Sequence, residues 1–265
     1  MPEHSSYQTR YLKSVLRHKR LVTAARILLA VFFFILWETA AQLEWIDSFF
    51  FSSPSRIGKT FLGMLEDGSL FLHVGTTLAE TLVSFALVVL LGLLTAVILW
   101  LLPAVSQVLE PYLVILNSLP KSALAPLLIV WLGANVRTIV VAGVSVAIFG
   151  TVLNLYTGFQ ETDPEKLKLI YTLHGNKWDA LVKVVIPSTI PMIISILKVN
   201  IGLCLVGVII GEFIGARQGL GYLIIYGSQV FKLDWVILSI VILCLIAMGL
   251  YALISRLEKS YARKS

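Results

Sequence analysis

The chain alternates long apolar runs with shorter polar stretches, and the apolar runs have the length of membrane-spanning helices. A helix needs about 20 mostly apolar residues to cross the hydrocarbon core of a bilayer. Six segments meet or approach this length: residues 27–42, 78–102, 108–132, 137–157, 187–213 and 236–253. Pro111, Pro120 and Pro126 interrupt the third segment. Backbone groups in lipid must be paired within the segment, and the runs lack the alternation of barrel strands, so an all-α polytopic membrane fold is predicted.

The positive charges along the chain predict its orientation and its division into parts. Lys and Arg number six in residues 1–26, four in the loop 160–186 and four in residues 256–265. Six crossings place all three stretches on one side, and the excess of positive charge makes that side the cytoplasm. The predicted organisation is a basic cytoplasmic leader of residues 1–26, a transmembrane domain of residues 27–255 and a cytoplasmic tail of residues 256–265.

Composition supports this interpretation and excludes others. The mean hydropathy is +0.89, 58% of the residues are hydrophobic and 14% are charged, which leaves too little polar surface for a soluble domain of this length. The net charge of +6 is explained by the membrane orientation, so it gives no support for a nucleic-acid partner. We expect the apolar segments to be surrounded by membrane lipid.

The polar loop 160–186 has the pattern of two short amphipathic helices. Asp163 and Pro164 form a helix start, with Asp163 as N-cap and Pro164 in the first turn. Residues 174–176 break this helix, and Asn176 is placed to cap a second one. Apolar residues share one face of each predicted helix: Leu167, Ile170 and Tyr171 on the first, and Trp178, Leu181, Val182 and Val185 on the second. The pattern fits a docking surface for a partner and, equally, a helix lying on lipid headgroups.

This loop resembles the cytoplasmic motif of the permeases of binding-protein-dependent ATP-binding cassette (ABC) importers. That motif has an E-A-A triplet, a Gly after three further residues and a Pro thirteen residues after the Gly. In this chain Pro187 follows His174 by thirteen residues, and Trp178 and Pro187 match the family pattern. Lys168-Leu169-Ile170 replace the E-A-A triplet, and His174 replaces the Gly, with Gly175 directly after it.

Other stretches resemble one branch of these permeases, which carries nitrate, sulfonates, taurine, bicarbonate and some heterocyclic vitamin precursors. LPKSALAPLLIVWLGAN at 119–135 is similar to the branch's I-P-x-x-A-x-x-P-L-x-x-x-W-F-G segment, and GEFIGARQGLGYLI at 211–224 is similar to its E-x-x-x-x-x-x-G-L-G-Y segment. The stretches at 52–74 and 253–263 also resemble the branch. The resemblance extends over about residues 27–262 and implies the fold of a type I importer permease in a bacterial cytoplasmic (inner) membrane.

The resemblance implies that the loop 160–186, hereafter the coupling loop, sits in a groove of a separate ATPase subunit. The expected contact residues are Thr172, His174, Gly175, Asn176, Lys177 and Trp178. The ATPase would use ATP and Mg, and this chain is expected to bind no cofactor. An extracytoplasmic solute-binding protein would deliver a small anionic or polar solute such as a sulfonate, nitrate or taurine. A second permease copy, in a homodimer or as a similar subunit, would complete the pathway.

The chain shows no catalytic or metal-binding pattern. The stretch 56–60 has the Gly-Lys-Thr of a phosphate-binding loop, but Ser53 stands where the first Gly of the motif belongs. The four histidines are scattered and form no recognisable catalytic set. We therefore expect a transport subunit rather than an enzyme. The alternatives are a transporter driven by an ion gradient, which would favour duplicated halves, and an intramembrane enzyme, which would need clustered catalytic side chains.

Ionisable residues within membrane spans are costly and often functional. Lys121 follows Pro120 in the broken third segment, where free backbone groups tend to line a cavity, so Lys121 is a candidate pathway residue together with Asn117 and Ser118. A cation there suits an anionic solute, while packing or snorkelling to the interface is an equal alternative. The other ionisable residues within or near the predicted spans are Glu38, Glu80, Glu110, Lys198 and Glu212. Glu38, Lys198 and Glu212 fit either a functional role or a position near a helix end in reach of water.

Gly211, Gly215 and Gly219 follow one another at intervals of four residues. Small residues at this spacing let helices approach closely. The pattern fits either an interface with a second permease or packing within the chain. Gly219 and Gly221 also predict a turn after the fifth segment.

Overall fold

The computed structural model describes residues 3–262, and within this range the chain is helical with no strand. The helices are α1 Glu3–Gln42, α2 Ser48–Phe51, α3 Pro54–Glu66, α4 Ser69–Leu101, α5 Pro103–Ser118, α6 Lys121–Leu132, α7 Val136–Gln160, α8 Pro164–Thr172, α9 Lys177–Ala180, α10 Ile186–Gly215, α11 Leu220–Gln229 and α12 Leu233–Ala262. A π-helical turn, Leu181–Val185, joins α9 to α10.

The chain divides into two compact units, Met1–Gly63 and Met64–Ser265. In the first unit α1 runs without a break through the predicted boundary at residue 26. The connection after it is fixed by hydrogen bonds: the Ser55 backbone N–H donates to the Glu38 carboxylate at 3.0 Å, and the Arg56 guanidinium donates to the Ser48 carbonyl at 2.8 Å.

In the second unit α7 is the central helix and packs against both α4 and α10. Small residues allow this contact: a Cβ on Gly207 of α10 would lie 2.8 Å from the Gly143 Cα of α7, so neither position has room for a larger side chain. A buried apolar cluster forms the core near the coupling loop. Its members are Ala96, Leu99, Val152, Leu155, Tyr156, Phe159, Leu181 and Val185.

Among residues 3–262, five helices are long and apolar enough to cross a membrane, and a sixth crossing is counted if one bent pair is a single span. The five are Val15–Gln42, Ser69–Leu101, Val136–Gln160, Lys177–Gly215 and Leu233–Arg256. The prediction of an all-helical fold with about six apolar segments is therefore confirmed. The helices extend beyond the predicted apolar segments: the first candidate span begins at residue 15, the second at residue 69, and the fifth continues from the coupling loop without a new start at Pro187.

The third predicted segment is a pair of helices, α5 and α6, that meet at 97°. Of the three prolines expected to interrupt it, Pro111 and Pro126 lie inside helices, and the chain bends at Leu119 and Pro120. Both residues at the bend have extended backbone angles. The bend exposes the last carbonyl groups of α5, which need partners from outside the helix.

Candidate functional site

The first half of the coupling loop is a short helix with defined caps at both ends. Asp163 accepts a hydrogen bond from the Glu165 N–H at 2.9 Å, so the predicted N-cap is confirmed. At the other end the Gly175 N–H donates to the Ile170 carbonyl at 2.9 Å and the His174 N–H donates to the Tyr171 carbonyl at 3.1 Å. This pair of bonds is the Schellman motif, which ends helices through a residue in the left-handed conformation.

His174 is the residue in that left-handed conformation, with a φ of 60°. The position is the one that glycine fills in the family motif, so the replacement keeps the geometry of the turn at the expense of local strain. Gly175 has a different role. A Cβ at Gly175 would lie 2.9 Å from the Ile170 carbonyl oxygen, so the turn has no space for a side chain there.

The second half of the loop begins with a capping box. The Asp179 N–H donates to the Asn176 side chain at 2.9 Å, and the Asn176 N–H donates to the Asp179 carboxylate at 3.1 Å, which confirms the predicted cap. Lys183 forms an ion pair with Asp179 at 2.8 Å. Because α9 continues through the π-helical turn into α10, the cap at Asn176 is the start of a single 39-residue helix, Lys177–Gly215.

The loop is anchored on one face and exposed on the other. Leu181 and Val185 are fully buried in the core cluster. A set of large apolar side chains on the other face is exposed; we call it the loop patch, and it consists of Leu169, Tyr171, Leu173, Trp178 and Val182. Of the four residues predicted to share one face of the second helix, Leu181 and Val185 are buried while Trp178 and Val182 are exposed. Tyr171, predicted to share a face with Leu167 and Ile170, is likewise exposed.

The structure brings the six predicted contact residues together at the turn between α8 and α9. Thr172, His174, Asn176, Lys177 and Trp178 are exposed, and Gly175 is half-buried between them. The Lys177 ammonium lies 3.5 Å from the Leu101 carbonyl, at the C-terminal end of α4, where the helix dipole favours a cation.

The predicted pathway residues lie at the bend between α5 and α6. The Lys121 ammonium donates to the carbonyls of Leu116, at 2.7 Å, and of Asn117. It thereby satisfies carbonyl groups that the end of α5 leaves unpaired. The Ser118 hydroxyl donates to the Val114 carbonyl at 3.0 Å within its own helix. Lys121 also lies 5.8 Å from the centre of the Phe149 ring of α7, which ties the bend to the central helix.

The three spaced glycines pack within the chain. A Cβ on Gly211 would lie 3.0 Å from the Ile139 Cα of α7, and one on Gly215 would lie 3.2 Å from the Ile129 side chain of α6. Gly219 lies outside the helical stripe, with a φ of 113° at the start of α11. The predicted turn is therefore confirmed, and Gly219 adjoins the Glu212 carboxylate.

Of the ionisable residues expected to reach water, Glu212 does not, because it is 1% exposed. Its carboxylate accepts from the Thr77 hydroxyl and from the Gly221 N–H, both at 2.6 Å, and the Thr77 hydroxyl accepts from the Leu220 N–H at 2.8 Å. Lys198 is paired with Glu258 of α12. This buried network could not be predicted from the sequence, because Thr77 and Glu212 lie 135 residues apart along the chain.

Long apolar helices packed around a close-contact core, with a capped loop projecting at one end, are the architecture of a polytopic membrane protein. Comparison with known proteins identifies the family to which the chain belongs. The chain belongs to the family described as binding-protein-dependent transport system inner membrane component, whose model matches residues 88–263. It is therefore a permease subunit of an ABC importer, as the resemblance in the sequence implied.

Individual relatives agree with this assignment. The chain is 30% identical to a probable ABC transporter permease of Haemophilus influenzae, over 82% of this chain and 88% of that protein. It is 29% identical to the formylaminopyrimidine transport permease ThiX of Halalkalibacterium halodurans, over 84% and 89%. It is 25% identical to the taurine transport permease TauC of Escherichia coli, over 84% of each. These relatives confirm the resemblance to the branch that includes the taurine permeases.

Solved structures confirm the fold. The inward-facing MetNI methionine ABC transporter has a chain that aligns with a TM-score of 0.62 and 17% identity, covering 71% of this chain and 94% of that one. An amino acid ABC transporter aligns with a TM-score of 0.61 and 21% identity, covering 76% and 98%.

Proposed function

We propose that this chain forms the solute pathway of its importer and couples that pathway to ATP hydrolysis through the coupling loop. The loop patch is the observation that carries the coupling proposal. Leu173 and Trp178 are 69% and 59% exposed, although they flank a turn whose backbone is fully capped. A rigid element that presents large apolar side chains is suited to a protein groove, where hydrophobic anchors contribute most of the binding energy.

The buried face of the loop supports the same proposal. Movement of a docked partner must reach the membrane helices, which requires a stiff connection. Leu181 and Val185 are held in the core, and the chain continues from them into α10 without a loop. A helix lying on lipid headgroups would need no such connection.

The partners follow from this role. We propose an ABC-type ATPase at the coupling loop, an extracytoplasmic solute-binding protein at the opposite face and a second permease copy beside this one in the lipid bilayer. In this arrangement both termini and the coupling loop are cytoplasmic. ATP and Mg are used by the ATPase, and this chain itself is neither an enzyme nor a cofactor-binding subunit. The alternative of an ion-gradient-driven transporter gains no support from the comparisons.

The solute is proposed to be a small polar molecule. Relatives of this chain include a taurine permease and a formylaminopyrimidine permease, and both solutes are small molecules with several hydrogen-bonding groups. Sulfonates and nitrate, which the resemblance also implied, remain within this proposal.

The coupling proposal is tested by changing the loop patch and measuring assembly with the ATPase. In the double variant Leu173→Ser, Trp178→Ala the helix caps stay intact, because both are made by backbone groups and by Asp163, Asn176 and Asp179. We expect the affinity for the ATPase subunit of the same transporter to fall about a hundredfold, since two buried anchors at about 1–2 kcal/mol each would be lost.

The matched control is Val230→Ser, which removes an exposed apolar side chain near the end of α11. It should leave the affinity for the ATPase unchanged. An undiminished affinity in the double variant would contradict the docking role of the loop. Solute uptake that persists when the ATPase is inactivated would contradict the proposed mechanism as a whole.

A further inference from the structure

A groove runs beside the start of α10, between this helix and the first half of the coupling loop, and we call it the lateral groove. One half lies between α8 and the π-helical turn and has a volume of about 400 Å³. The other half lies between the end of α7 and the start of α10 and has a volume of about 240 Å³. Lys166 and Ser188 line both halves, so the two adjoin. Ligand sites typically have volumes of about 300–1,000 Å³, so the groove has the size of a binding site.

The larger half of the groove combines an apolar wall with two ammonium groups. Ile170 and Pro187 belong to the wall, and Lys166 and Lys183 are the charged residues of this half. The side chain of Lys183 is 64% exposed and pairs with Asp179, which occupies one of its three N–H donors. Lys166 is exposed and makes no hydrogen bond or ion pair with the residues that the structure describes. Both lysines therefore have N–H donors available to an anionic group in the groove.

The smaller half of the groove carries the opposite charge. Its acidic residues are Glu161 and Asp163, of which Asp163 also caps α8 through the Glu165 N–H. Glu161 is exposed and has no hydrogen-bond or ion-pair partner within residues 3–262. The groove as a whole is lined by two lysines and two acidic residues, so its formal charges cancel. Separated charges of opposite sign complement a zwitterionic ligand better than an anion or a cation.

The start of α10 places the groove at the level of the lipid headgroups. Helix α10 has 30 residues, Ile186–Gly215, which extend about 45 Å at about 1.5 Å per residue. A bilayer with its headgroup regions is about 40–45 Å thick. With Gly215 at the outer boundary of the membrane, Pro187 and Ser188 lie at the headgroup level of the cytoplasmic leaflet in the proposed orientation. A phospholipid of that leaflet can therefore enter the groove from the side.

We propose that the lateral groove binds a phospholipid whose headgroup carries a primary ammonium, as in phosphatidylethanolamine. The phosphate lies against Lys166 and Lys183, whose ammonium groups donate to its oxygens. The ammonium of the headgroup donates to Glu161 in the acidic half. The first carbon atoms of the acyl chains cover the apolar wall. The inference rests on the proposed membrane orientation and goes beyond the proposed transport role.

The test compares three phospholipids with identical acyl chains: phosphatidylethanolamine, phosphatidylcholine and phosphatidylglycerol. Phosphatidylcholine keeps the phosphate, but its quaternary ammonium has no N–H, and phosphatidylglycerol has no cation in its headgroup. The permease–ATPase complex in detergent is titrated with each lipid, and bound lipid is counted by native mass spectrometry. We expect phosphatidylethanolamine to bind about tenfold more tightly than the other two, which is the effect of one charge-assisted hydrogen bond.

Single substitutions separate the two ends of the headgroup. Glu161→Gln should remove the advantage of phosphatidylethanolamine over phosphatidylcholine, because the amide keeps the shape of the side chain and loses its charge. Lys166→Gln should weaken the binding of all three lipids several-fold, because each of them carries the phosphate. The matched controls are Glu165→Gln and Lys168→Gln, which change exposed residues of α8 that do not line the groove and should alter neither result.

Equal binding of the three lipids, or a preference that survives in Glu161→Gln, would overturn the inference. Glycerophosphoethanolamine, the headgroup without acyl chains, should compete poorly. If it displaced the lipid at equal concentration, the groove would serve a water-soluble phosphate ester, and the assignment to a lipid would be wrong.

The ATPase is the other occupant to exclude, because Leu169 of the loop patch also lines the groove. A loss of ATPase affinity in Lys166→Gln, with lipid binding unchanged, would assign the groove to the ATPase and overturn the inference. The proposed function is judged separately, by ATP-dependent uptake into proteoliposomes that contain the binding protein. Uptake by a complex without any lipid preference would contradict only the role of the lateral groove.

Discussion

At the scale of single residues, two neighbours in the turn of the coupling loop are constrained in different ways. His174 adopts the left-handed backbone conformation, and Gly175 lies where no side chain fits. The sequence could indicate only that residues 174–176 break a helix. It could not separate the two roles, because a glycine beside the break suggests by itself that the left-handed residue is the glycine.

We predict that Gly175→Ala disrupts coupling. The new Cβ would lie 2.9 Å from the Ile170 carbonyl oxygen and 2.6 Å from the Ile170 side chain. Because the backbone oxygen is also the acceptor of the Gly175 N–H, the end of α8 must open, and the loop patch loses its fixed geometry. The measurement is the ratio of solute taken up to ATP hydrolysed in proteoliposomes, which should fall several-fold while the protein remains in the membrane.

The adjacent change, His174→Gly, is the matched comparison. It relieves the left-handed strain of about 1 kcal/mol. Exchange of the Gly175 amide hydrogen should therefore slow by up to about fivefold with coupling retained. Equal loss of coupling in both variants would mean that side-chain contact by His174, rather than the shape of the turn, is the important feature.

At the scale of secondary-structure elements, one buried network joins three helices. Thr77 of α4 lies between Glu212 of α10 and the Leu220 N–H at the start of α11, donating to the first and accepting from the second. This explains why the predicted segment begins at residue 78, nine residues inside α4. The polar residues His73 and Thr77 lower the local hydropathy before that point, yet both accept or donate hydrogen bonds to other elements inside the protein.

We predict that Thr77→Val destabilises the protein by about 1–3 kcal/mol, because the Leu220 N–H loses its acceptor and the Glu212 carboxylate loses a donor in a buried place. Thr76→Val is the control. The Thr76 hydroxyl bonds to the Leu72 carbonyl of its own helix at 2.8 Å, and no second element depends on it. Thermal unfolding of the two purified variants in the same detergent should separate them clearly, and equal melting temperatures would contradict the role given to Thr77.

Proline positions illustrate a second limit of prediction at this scale. Three prolines in the third segment indicated an interruption, but two of them are accommodated inside α5 and α6. The chain turns at Pro120, where the Lys121 ammonium is available to bond the exposed carbonyls of α5. Which proline marks a bend depends on the neighbours that can satisfy the freed backbone groups, and sequence spacing does not contain that information.

At the scale of the whole molecule, the number of hydrophobic segments and the caps of the coupling loop followed from sequence, because both are local properties. Which apolar residues of the coupling loop are buried and which are exposed did not follow from the sequence. Leu181 is buried and Val182 is exposed although they are neighbours of the same character, because burial depends on where α4 and α7 lie.

The proposed orientation gives a prediction at this scale. Single cysteines introduced at His18, Lys166, Glu66 and Lys232 in a variant that lacks Cys204 and Cys244 report the side of the membrane on which each lies. A thiol reagent that does not cross membranes should label positions 66 and 232 on intact cells, and label 18 and 166 only after the cells are opened. Labelling of 18 or 166 on intact cells would reverse the proposed topology.

The helix Lys177–Gly215 connects the coupling loop at one end to the Glu212 network at the other. Its 39 residues extend about 58 Å at about 1.5 Å per residue, so the Asn176 cap and the Glu212 carboxylate lie near opposite ends of one rod. For such a rod, a tilt of about 5° at one end displaces the other by about 5 Å, the rise of one helical turn. A displacement of that size is enough to break hydrogen bonds of 2.6 Å at the Glu212 network. We therefore expect a small movement of the coupling loop to reach the Glu212 network through this helix, except as far as the helix bends at the π-helical turn Leu181–Val185 or at Pro191.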